Sequence, residues 1–535
     1  MKLLFLILLL VSLAKLQLTK VATCVNTIEA EGYSCLLISA ETSAAEDDII
    51  ITGNHEENFT DDDVIYLTNR FCSLSFIPNE IFNRFKNLET LNLADVRLIG
   101  ISHENFFNCN RLQKVFLNTN YIESISPSTF EKCREIVEIN LKSNFISSIS
   151  DDAFLGLSKL EVLNLSFNKI IELRQKTFEA IPSLKIISLA RNSLNEIPSN
   201  LLHDLSNLED IDLSFNEISE LAISFFDNSA SLIKLSLSSN KLTSIHSMLF
   251  NSLKKLEILD LRDNKIQSFH LSSFSKTNNL KVLNLDSNEI AVLDETSFEM
   301  LENLTQLTLT ANRLTSLHPD VFRKTRKLKF LDFSFNAVTE LSRDLFKNTE
   351  ELESFEAKNN EITIIDFKLF YPAIKINQIL LDNNKISSLH DETFRMNQKL
   401  EALSLNFNQL TSLNTSIFTP IPQLKTLLLS NNRIKNIERN FLENFENLYF
   451  LTLAKNECVD QSFYGGDLMQ FGEFLGDCFY NYDGQNATTT TEAVSQSTKS
   501  TSPADTTEST TLDASKAFSI ELLLMTSLMI LVFQF

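Results

Sequence analysis

Apolar and polar positions follow one pattern that returns every 24 residues through most of the chain. Each repeat reads L-x-x-L-x-L-x-x-N-x-[IL]-x-x-[IL], as in Leu160-Glu-Val-Leu163-Asn-Leu165-Ser-Phe-Asn168-Lys-Ile170. The alternation L-x-L predicts a short strand with one buried and one exposed face. We therefore expect one strand per repeat, with successive strands stacked in a parallel sheet about 4.8 Å apart.

An asparagine follows each predicted strand, and 15 of them occur at intervals of 24 residues without insertion or deletion. Extending the frame backwards places Val96 and Cys72 at the same position, which makes seventeen repeats. An asparagine amide has donors and an acceptor, so it can satisfy backbone groups where the chain leaves the strand. The predicted structural ladder is Asn120, Asn144, Asn168, Asn192, Asn216, Asn240, Asn264, Asn288, Asn312, Asn336, Asn360, Asn384, Asn408, Asn432 and Asn456.

A second column lies ten residues after the asparagine position and contains phenylalanine from Phe82 to Phe418, with Leu202 as the departure. These large side chains predict a convex side that is packed more widely than the strands, so that the stack curves.

The leucine pattern and the two columns resemble the leucine-rich repeat family, specifically its 24-residue class. The resemblance implies an α/β leucine-rich repeat solenoid (a horseshoe) with one long parallel sheet on the concave face, about 17 rungs and disulfide-closed caps. We place an N-terminal cap at 15–63, the repeats at 64–457 and a C-terminal cap at 458–484.

Two cap segments are similar to a group of secreted leucine-rich repeat proteins of flies and mosquitoes. They are the stretch from Gly53 to Val64 and the sequence Asn456-Glu-Cys458-Val-Asp. The common extracellular C-terminal cap with a C-x-C pair and four cysteines is absent, so residue roles are not carried over from receptors with that cap. The resemblance implies extracellular recognition, adhesion or immune roles and no shared chemistry.

The seven cysteines fit a secreted chain whose solenoid ends need covering. Cys109 and Cys133 lie one repeat apart, so neighbouring coils bring them near bridging distance; two buried thiols are the alternative. Cys72 is left unpaired in the asparagine column. We predict the disulfides Cys24–Cys35, Cys109–Cys133 and Cys458–Cys478.

Both ends of the chain carry targeting features. Lys2 and the apolar run 3–13 indicate a signal peptide at 1–14, since this run is too short for a membrane anchor. The segment 485–513 is rich in Thr and Ser, which predicts an O-glycosylated stalk or a plain linker. The apolar tail 514–535 fits a GPI-attachment signal, or alternatively a short C-terminal membrane tail. The predicted attachment residue is Asp513, with Ser509 as the alternative.

Charge and motifs narrow the functional class. The chain has 47 Lys and Arg against 69 Asp and Glu, a formal charge of −22, which argues against nucleic-acid binding. No H-E-x-x-H, G-x-S-x-G or C-x-x-C motif occurs, so we predict neither an enzyme nor a cofactor. His246, His270, Asp294 and His318 share one slot of the repeat, where a metal stripe is the alternative to a variable turn position. We predict no metal site.

Outward-facing strand positions form the predicted binding surface, because these side chains line up in columns across rungs. One column carries carboxylates and a neighbouring column carries apolar residues, a mixture typical of protein-binding surfaces; ordinary strand propensity is the alternative. The predicted contact residues are Asp212, Asp260, Asp332, Glu356, Ile258, Val282, Phe330, Leu380 and Leu428. N-glycosylation is predicted at Asn58, Asn164, Asn303, Asn414 and Asn486, and a sugar on Asn164 would cover part of this face.

Taken together, these features predict a non-enzymatic recognition or adhesion protein on the extracellular face of the plasma membrane. We expect it to be held by a lipid anchor and to bind a protein or glycoconjugate partner, with self-association as a further option. The alternatives are an innate immune factor that binds microbial ligands and a structural glycoprotein of the extracellular matrix.

Overall fold

Each repeat forms a strand of about three residues because only the L-x-L segment alternates strictly. In Val162–Asn164 the central Leu163 is buried while its two neighbours point outward. The computed structural model describes residues 20–29, 32–42, 49–269, 271–418, 421–465 and 471–479. These residues all belong to one compact unit, Met1–Gly484.

The described strands are β1 (Lys20–Glu29), β2 (Gly32–Ile38), β3 (Glu41–Thr42), β4 (Ile49–Thr52), β5 (Tyr66–Arg70), β6 (Ser73–Leu74), β7 (Thr90–Asn92), β8 (Lys114–Phe116), β9 (Ser124–Ile125), β10 (Glu138–Asn140), β11 (Ser148–Ile149), β12 (Val162–Asn164), β13 (Ile186–Ser188), β14 (Asp210–Asp212), β15 (Lys234–Ser236), β16 (Ser244–Ile245), β17 (Ile258–Asp260), β18 (Ser268–Phe269), β19 (Val282–Asn284), β20 (Gln306–Thr308), β21 (Phe330–Asp332), β22 (Ser354–Glu356), β23 (Gln378–Leu380), β24 (Ala402–Ser404), β25 (Ser412–Leu413), β26 (Thr426–Leu428), β27 (Asn436–Ile437), β28 (Phe450–Thr452) and β29 (Ser462–Tyr464). The α-helices are α1 (Glu80–Arg84) and α2 (Phe471–Phe474), and the 3-10 segments are Asp61–Asp63, His103–Phe106, Leu271–Phe274, Thr415–Phe418 and Phe441–Asn444.

Among the described residues, the main sheet has 21 strands, and its repeat strands pair in parallel with a constant offset of 24 residues. Leu163, for example, lies opposite Ile139 on one side and Ile187 on the other. The result is a solenoid of about 16 turns with one long parallel sheet, which confirms the predicted architecture. Its helical content is small, because the side opposite the sheet consists mostly of turns and 3-10 segments.

Leucine and phenylalanine fill the space between the sheet and the opposite side. Leu163, Leu165 and Phe154 are fully buried. Consecutive phenylalanines contact each other across rungs, with the rings of Phe298 and Phe322 stacked 6.1 Å apart. Leu202 is buried in the same column, so the one aliphatic departure keeps the column closed.

The asparagine ladder joins each rung to the one before it. Asn168 Oδ1 accepts a 2.9 Å hydrogen bond from the Ile146 amide, and its Nδ2 donates to the Leu141 and Leu165 carbonyls, both at 3.0 Å. Asn240 repeats this pattern and is 7% exposed. In both residues the side chain bonds backbone groups of its own rung and of the preceding one.

Both ends of the sheet are closed by added strands. β1 pairs antiparallel with β2, β2 pairs parallel with the first repeat strand β5, and β29 pairs antiparallel with the last repeat strand β28. Three disulfides join the predicted pairs, with Cα–Cα distances of 5.4, 5.0 and 5.2 Å for Cys24–Cys35, Cys109–Cys133 and Cys458–Cys478.

Cys72 takes the ladder position in the first repeat. It is a buried free thiol whose Sγ lies 3.3 Å from the Leu37 carbonyl oxygen, and its burial raises the pKa of the thiol. A neutral, buried thiol fits a structural role at this rung.

Several sequence predictions fall outside the described residues: the signal peptide at 1–14, the stalk at 485–513, the tail at 514–535, the attachment residues Asp513 and Ser509, the sequon Asn486 and His270. Within the described part of the chain, the structure contains no helix with the length and apolarity needed to cross a membrane.

Candidate binding surface on the concave face

The concave face is the sheet surface formed by the outward-pointing strand side chains. The acidic members of the predicted set lie there half-buried: Asp212, Asp260, Asp332 and Glu356. Asp332 pairs in register with Glu356, and Ile258 pairs with Val282. The parallel register thus brings both predicted columns together on one surface.

Leu380 and Leu428 occupy the same strand column but contribute little accessible surface. They are only 5% and 9% exposed. Strand alternation correctly gives their outward direction, but it does not report how far neighbouring side chains cover them. The half-buried Ile258, Val282 and Phe330 supply more of the accessible apolar area.

Two further carboxylates lie in a second column beside the acidic one, and sequence analysis did not predict them. Asp286 and Asp382 lie two residues beyond the strand position, in a 24-residue column that also contains Lys358. The spacing was a visible signal, but their burial depends on neighbouring rungs. We define the acidic patch as Asp260, Asp286, Asp332, Glu356 and Asp382.

Asp286 connects two rungs within the patch. Its Oδ1 accepts a 2.7 Å hydrogen bond from the Thr310 amide on the next rung. Burial raises the pKa of this carboxyl to about 6, against the hydrogen bond from the Thr310 amide that favours the ionised form. Nearby Asp332 adds to the increase.

Glu356 and Lys358 form the centre of the patch. The Lys358 Nζ lies 2.6 Å from Glu356 Oε2, and both side chains are largely buried. Burial raises the pKa of Glu356, which Lys358 opposes and Asp332 reinforces. Burial alone would lower the pKa of Lys358, but Glu356, Asp332 and Asp382 outweigh it and raise the value. The ammonium therefore stays charged and balances one carboxylate of the five.

Asp382 has one oxygen engaged and the other without a partner. Its Oδ1 accepts hydrogen bonds from the Ser404 hydroxyl and, at 3.1 Å, from the Asn406 amide. Its Oδ2 is buried and has no hydrogen-bond partner among the described residues. Burial raises the pKa of this carboxyl, because an ionised oxygen without a donor is poorly solvated.

Asp260 lies at the other end of the patch. It accepts a 3.1 Å hydrogen bond from the Arg262 amide, and the Arg262 Nε lies 3.2 Å from its second oxygen. Burial nevertheless raises the pKa of Asp260. The patch thus collects carboxylates that are incompletely solvated and short of positive charge, and a cationic group from a partner would relieve both conditions.

The histidine slot does not assemble into a metal site in the described part of the chain, where no group of three or more His, Cys, Asp or Glu is placed to hold an ion. His318 instead lies 3.8 Å from Glu295, and Asp294 accepts hydrogen bonds from Thr296 and Ser297 that lower the pKa of its carboxyl.

The predicted sequons differ in their surroundings. Asn58 is exposed, and Asn414 is half-buried. Asn164 lies on the concave face, where its Oδ1 accepts hydrogen bonds from the amide and hydroxyl of Ser166. Asn303 donates to the Asn278 carbonyl at 2.7 Å. Their glycosylation remains a prediction.

A continuous parallel sheet, an internal asparagine ladder and closed ends define a solenoid repeat protein. The sequence model of the leucine rich repeat matches residues 110–170, 158–218, 206–266, 230–290, 254–314, 278–338, 302–362 and 374–434. The chain belongs to the leucine-rich repeat family.

Solved structures of the same fold come from several kinds of organism. A leucine-rich repeat protein of Leptospira interrogans has 28% sequence identity and a TM-score of 0.63, covering 72% of this chain and 93% of that chain. TLR13, in a complex with ssRNA13, has 26% identity and a TM-score of 0.62, covering 70% of this chain and 54% of that chain.

The Toll–Spatzle complex of Drosophila has a TM-score of 0.66 at 20% identity, covering 79% of this chain and 57% of that chain, and this likeness shows the fold alone. A search of curated proteins finds no significant match. No catalytic family is indicated by these comparisons.

Proposed function

We propose that the protein is a non-enzymatic recognition or adhesion protein of the cell surface that binds a protein or glycoconjugate partner through its concave face. The observation that carries this proposal is the acidic patch, in which Lys358 pairs with Glu356 and Arg262 with Asp260, while the other three carboxylates form no ion pair within the described ranges and Asp382 keeps one oxygen without a donor. A partner that presents Lys or Arg side chains fits this surface best.

The neighbours support a ligand-binding role in general, since the TLR13 structure is a complex with ssRNA13. For this chain, the formal charge of −22 and the acidic patch favour a cationic protein surface over RNA. We also propose the finer features that the sequence suggests: secretion, a GPI anchor, and kinship with the 24-residue repeat proteins of dipteran insects.

Charge reversal on the concave face tests the proposal. The full chain is displayed on non-adherent cells, and binding of a fluorescent Lys- and Arg-rich peptide is measured together with cell aggregation. The double variant Asp286→Lys/Asp382→Lys is expected to lose at least roughly tenfold in peptide affinity, since it removes two acceptors and adds repulsion.

The matched control is Asp204→Lys/Asp227→Lys, which makes the same charge change at two exposed positions away from the concave strands. We expect this control to bind within about twofold of the parent, as charges far from a contact surface are screened by salt. Equal losses in both variants would show that net charge, and not the patch, governs binding.

The same display experiment distinguishes the alternative functional classes. Aggregation of the displaying cells indicates adhesion, whereas capture of bacterial wall material without aggregation indicates immune recognition. Release of the chain by a phosphatidylinositol-specific phospholipase tests the proposed lipid anchor independently of any ligand.

A further inference from the structure

A ridge of exposed aromatic rings lies outside the acidic patch, on the turns that follow the strands. The residue before each ladder asparagine has positive φ, a conformation that suits Asn and Asp and is unfavourable for bulky side chains. Phenylalanine nevertheless occupies it at Phe71, Phe167, Phe215, Phe335 and Phe407. Phe167 and Phe215 have φ of 57° and 55° and are 45% and 41% exposed, so burial does not offset the strain.

Cations alternate with aromatic rings along five consecutive rungs. The ring of Tyr121 lies 5.6 Å from that of Phe145, and Lys169 Nζ lies 4.4 Å from the Phe145 centroid. Further along, the Arg191 guanidinium carbon lies 5.1 Å from the Phe167 centroid and 3.8 Å from the Phe215 centroid. Lys142 Nζ lies 5.0 Å from the Phe167 centroid. We define the aromatic ridge as Tyr121, Phe145, Phe167, Phe215, Lys142, Lys169 and Arg191.

The cations of the ridge lack the carboxylate partners that other rung cations have. Lys185, on another column, and Lys241, three rungs further along the column of Lys169, each contact a glutamate of the preceding rung at 2.9 Å. Across the described ranges, Lys142, Lys169 and Arg191 form no ion pair, although the chain has an excess of 22 acidic residues. Their positive charge is available to an anionic partner.

The spacing of the ridge distinguishes between two kinds of anionic partner. Rungs follow one another about 4.8 Å apart. This spacing is close to the distance by which one sugar ring follows the next in a linear polysaccharide. An extended peptide places side chains on the same side about 6.6 Å apart, out of step with the rungs. Aromatic rings stack on the apolar faces of sugars, and ammonium and guanidinium groups bind carboxylates and sulfates.

We infer that the aromatic ridge binds a linear acidic polysaccharide, with its sugar rings against the aromatic side chains and its carboxylates or sulfates on Lys142, Lys169 and Arg191. This surface lies on the turns after the strands and does not include the acidic patch, which would repel such a ligand. The inference therefore stands independently of the proposed cationic partner.

Binding of labelled heparin and hyaluronate to cells that display the full chain tests this inference, with poly-glutamate as the peptide probe and dextran as the neutral one. The variant Phe167→Asn/Phe215→Asn is expected to weaken polysaccharide binding roughly tenfold or more. Its thermal stability is expected to stay equal or rise, because asparagine tolerates positive φ. Weaker polysaccharide binding at equal or higher thermal stability would show that the two rings serve binding and not the stability of the fold.

The matched control is Phe335→Asn/Phe407→Asn, the same change in the same column but outside the ridge. It is expected to bind heparin and hyaluronate as the parent does. A second variant, Lys169→Gln/Arg191→Gln, is expected to bind heparin and hyaluronate more weakly. The binding that remains is expected to depend less on salt concentration.

All variants are also measured with Asn164→Gln, because a sugar on Asn164, three residues before Phe167, would stand beside the ridge. Parent-like polysaccharide binding by both ridge variants overturns the inference, as does selective loss of poly-glutamate binding alone. Asp286→Lys/Asp382→Lys is expected to bind heparin and hyaluronate at least as tightly as the parent, because it removes repulsion, so failure of the ridge and failure of the acidic patch are distinguishable.

Discussion

At the scale of the residue, each ladder asparagine hydrogen-bonds three or more backbone groups, and all but Asn336 and Asn456 are themselves buried. Asn240 accepts from the Ile218 amide at 3.0 Å and donates to the Leu213 and Leu237 carbonyls at 2.9 and 3.1 Å. The asparagine amide supplies two donors and an acceptor here, whereas the smaller serine hydroxyl would supply only one donor.

Substitution of Asn240 by alanine is expected to destabilise the fold by about 2–4 kcal/mol, because several buried backbone groups lose their partner. Urea unfolding followed by circular dichroism measures the change. Asn195→Ala, at an exposed position, serves as the control and is expected to stay within about 0.5 kcal/mol of the parent. Equal midpoints for the two variants would contradict the ladder's energetic role.

The raised pKa of Asp286, about 6 against an ordinary 3.8, predicts a pH dependence of stability. Between these values the folded chain holds a proton that the unfolded chain has lost, so the stability contribution of this group falls as pH rises. Asp286→Asn is expected to be about 1–2 kcal/mol more stable than the parent at pH 7 after allowance for solvent screening, and equal to it below pH about 4. Urea midpoints at both pH values check this; a difference that persists at the acidic value would assign the effect to another cause.

At the scale of the element, the phenylalanine column determines how the side opposite the sheet packs. Phe298 is 1% exposed and lies in contact with Phe322 and with the half-buried Phe269. Leucine already occupies the equivalent position at Leu202, which shows that the column accepts an aliphatic side chain.

Phe298→Ala is expected to lower the free energy of unfolding by about 3–5 kcal/mol, because it leaves a cavity that neighbouring rungs cannot fill. Phe298→Leu is expected to lower it by less than half of that. Chemical denaturation of the two variants side by side gives the comparison, and a milder effect for alanine than for leucine would show that the column is not close-packed.

Most of these elements follow from the sequence because one constraint acts on every repeat in the same way. The ladder, the phenylalanine column and the Cys109–Cys133 pair depend on positions one rung apart, and the 24-residue period of the sequence gives that spacing directly. The acidic patch was predicted only in part. Asp286 and Asp382 gain their properties from burial by adjacent rungs, and Leu380 loses its exposure in the same way. The alternating pattern predicts which way a side chain points, whereas its exposed fraction depends on the sizes of the neighbouring side chains.

At the scale of the whole molecule, stability is expected to be the sum of repeats and of the interfaces between neighbouring repeats. Deletion of residues 217–240, one whole period, should therefore keep the ladder in register and give a folded chain with a similar circular dichroism spectrum and a cooperative melt. Deletion of residues 217–228, half a period, should prevent folding because it puts a turn where the sheet needs a strand. Similar melts for both chains would contradict the additive description.

The ladder also has a direction. Both inter-rung bonds of Asn168 reach back to residues 141 and 146 in the preceding rung, and the same holds along the column. Each coil consequently carries the group that fastens it to the coil synthesised just before it. As the polypeptide emerges from the ribosome, every new period can be secured at once, without waiting for later sequence. The hydrogen bonds of one type of side chain therefore favour growth of the stack from its N-terminal cap, which the Cys24–Cys35 bridge closes.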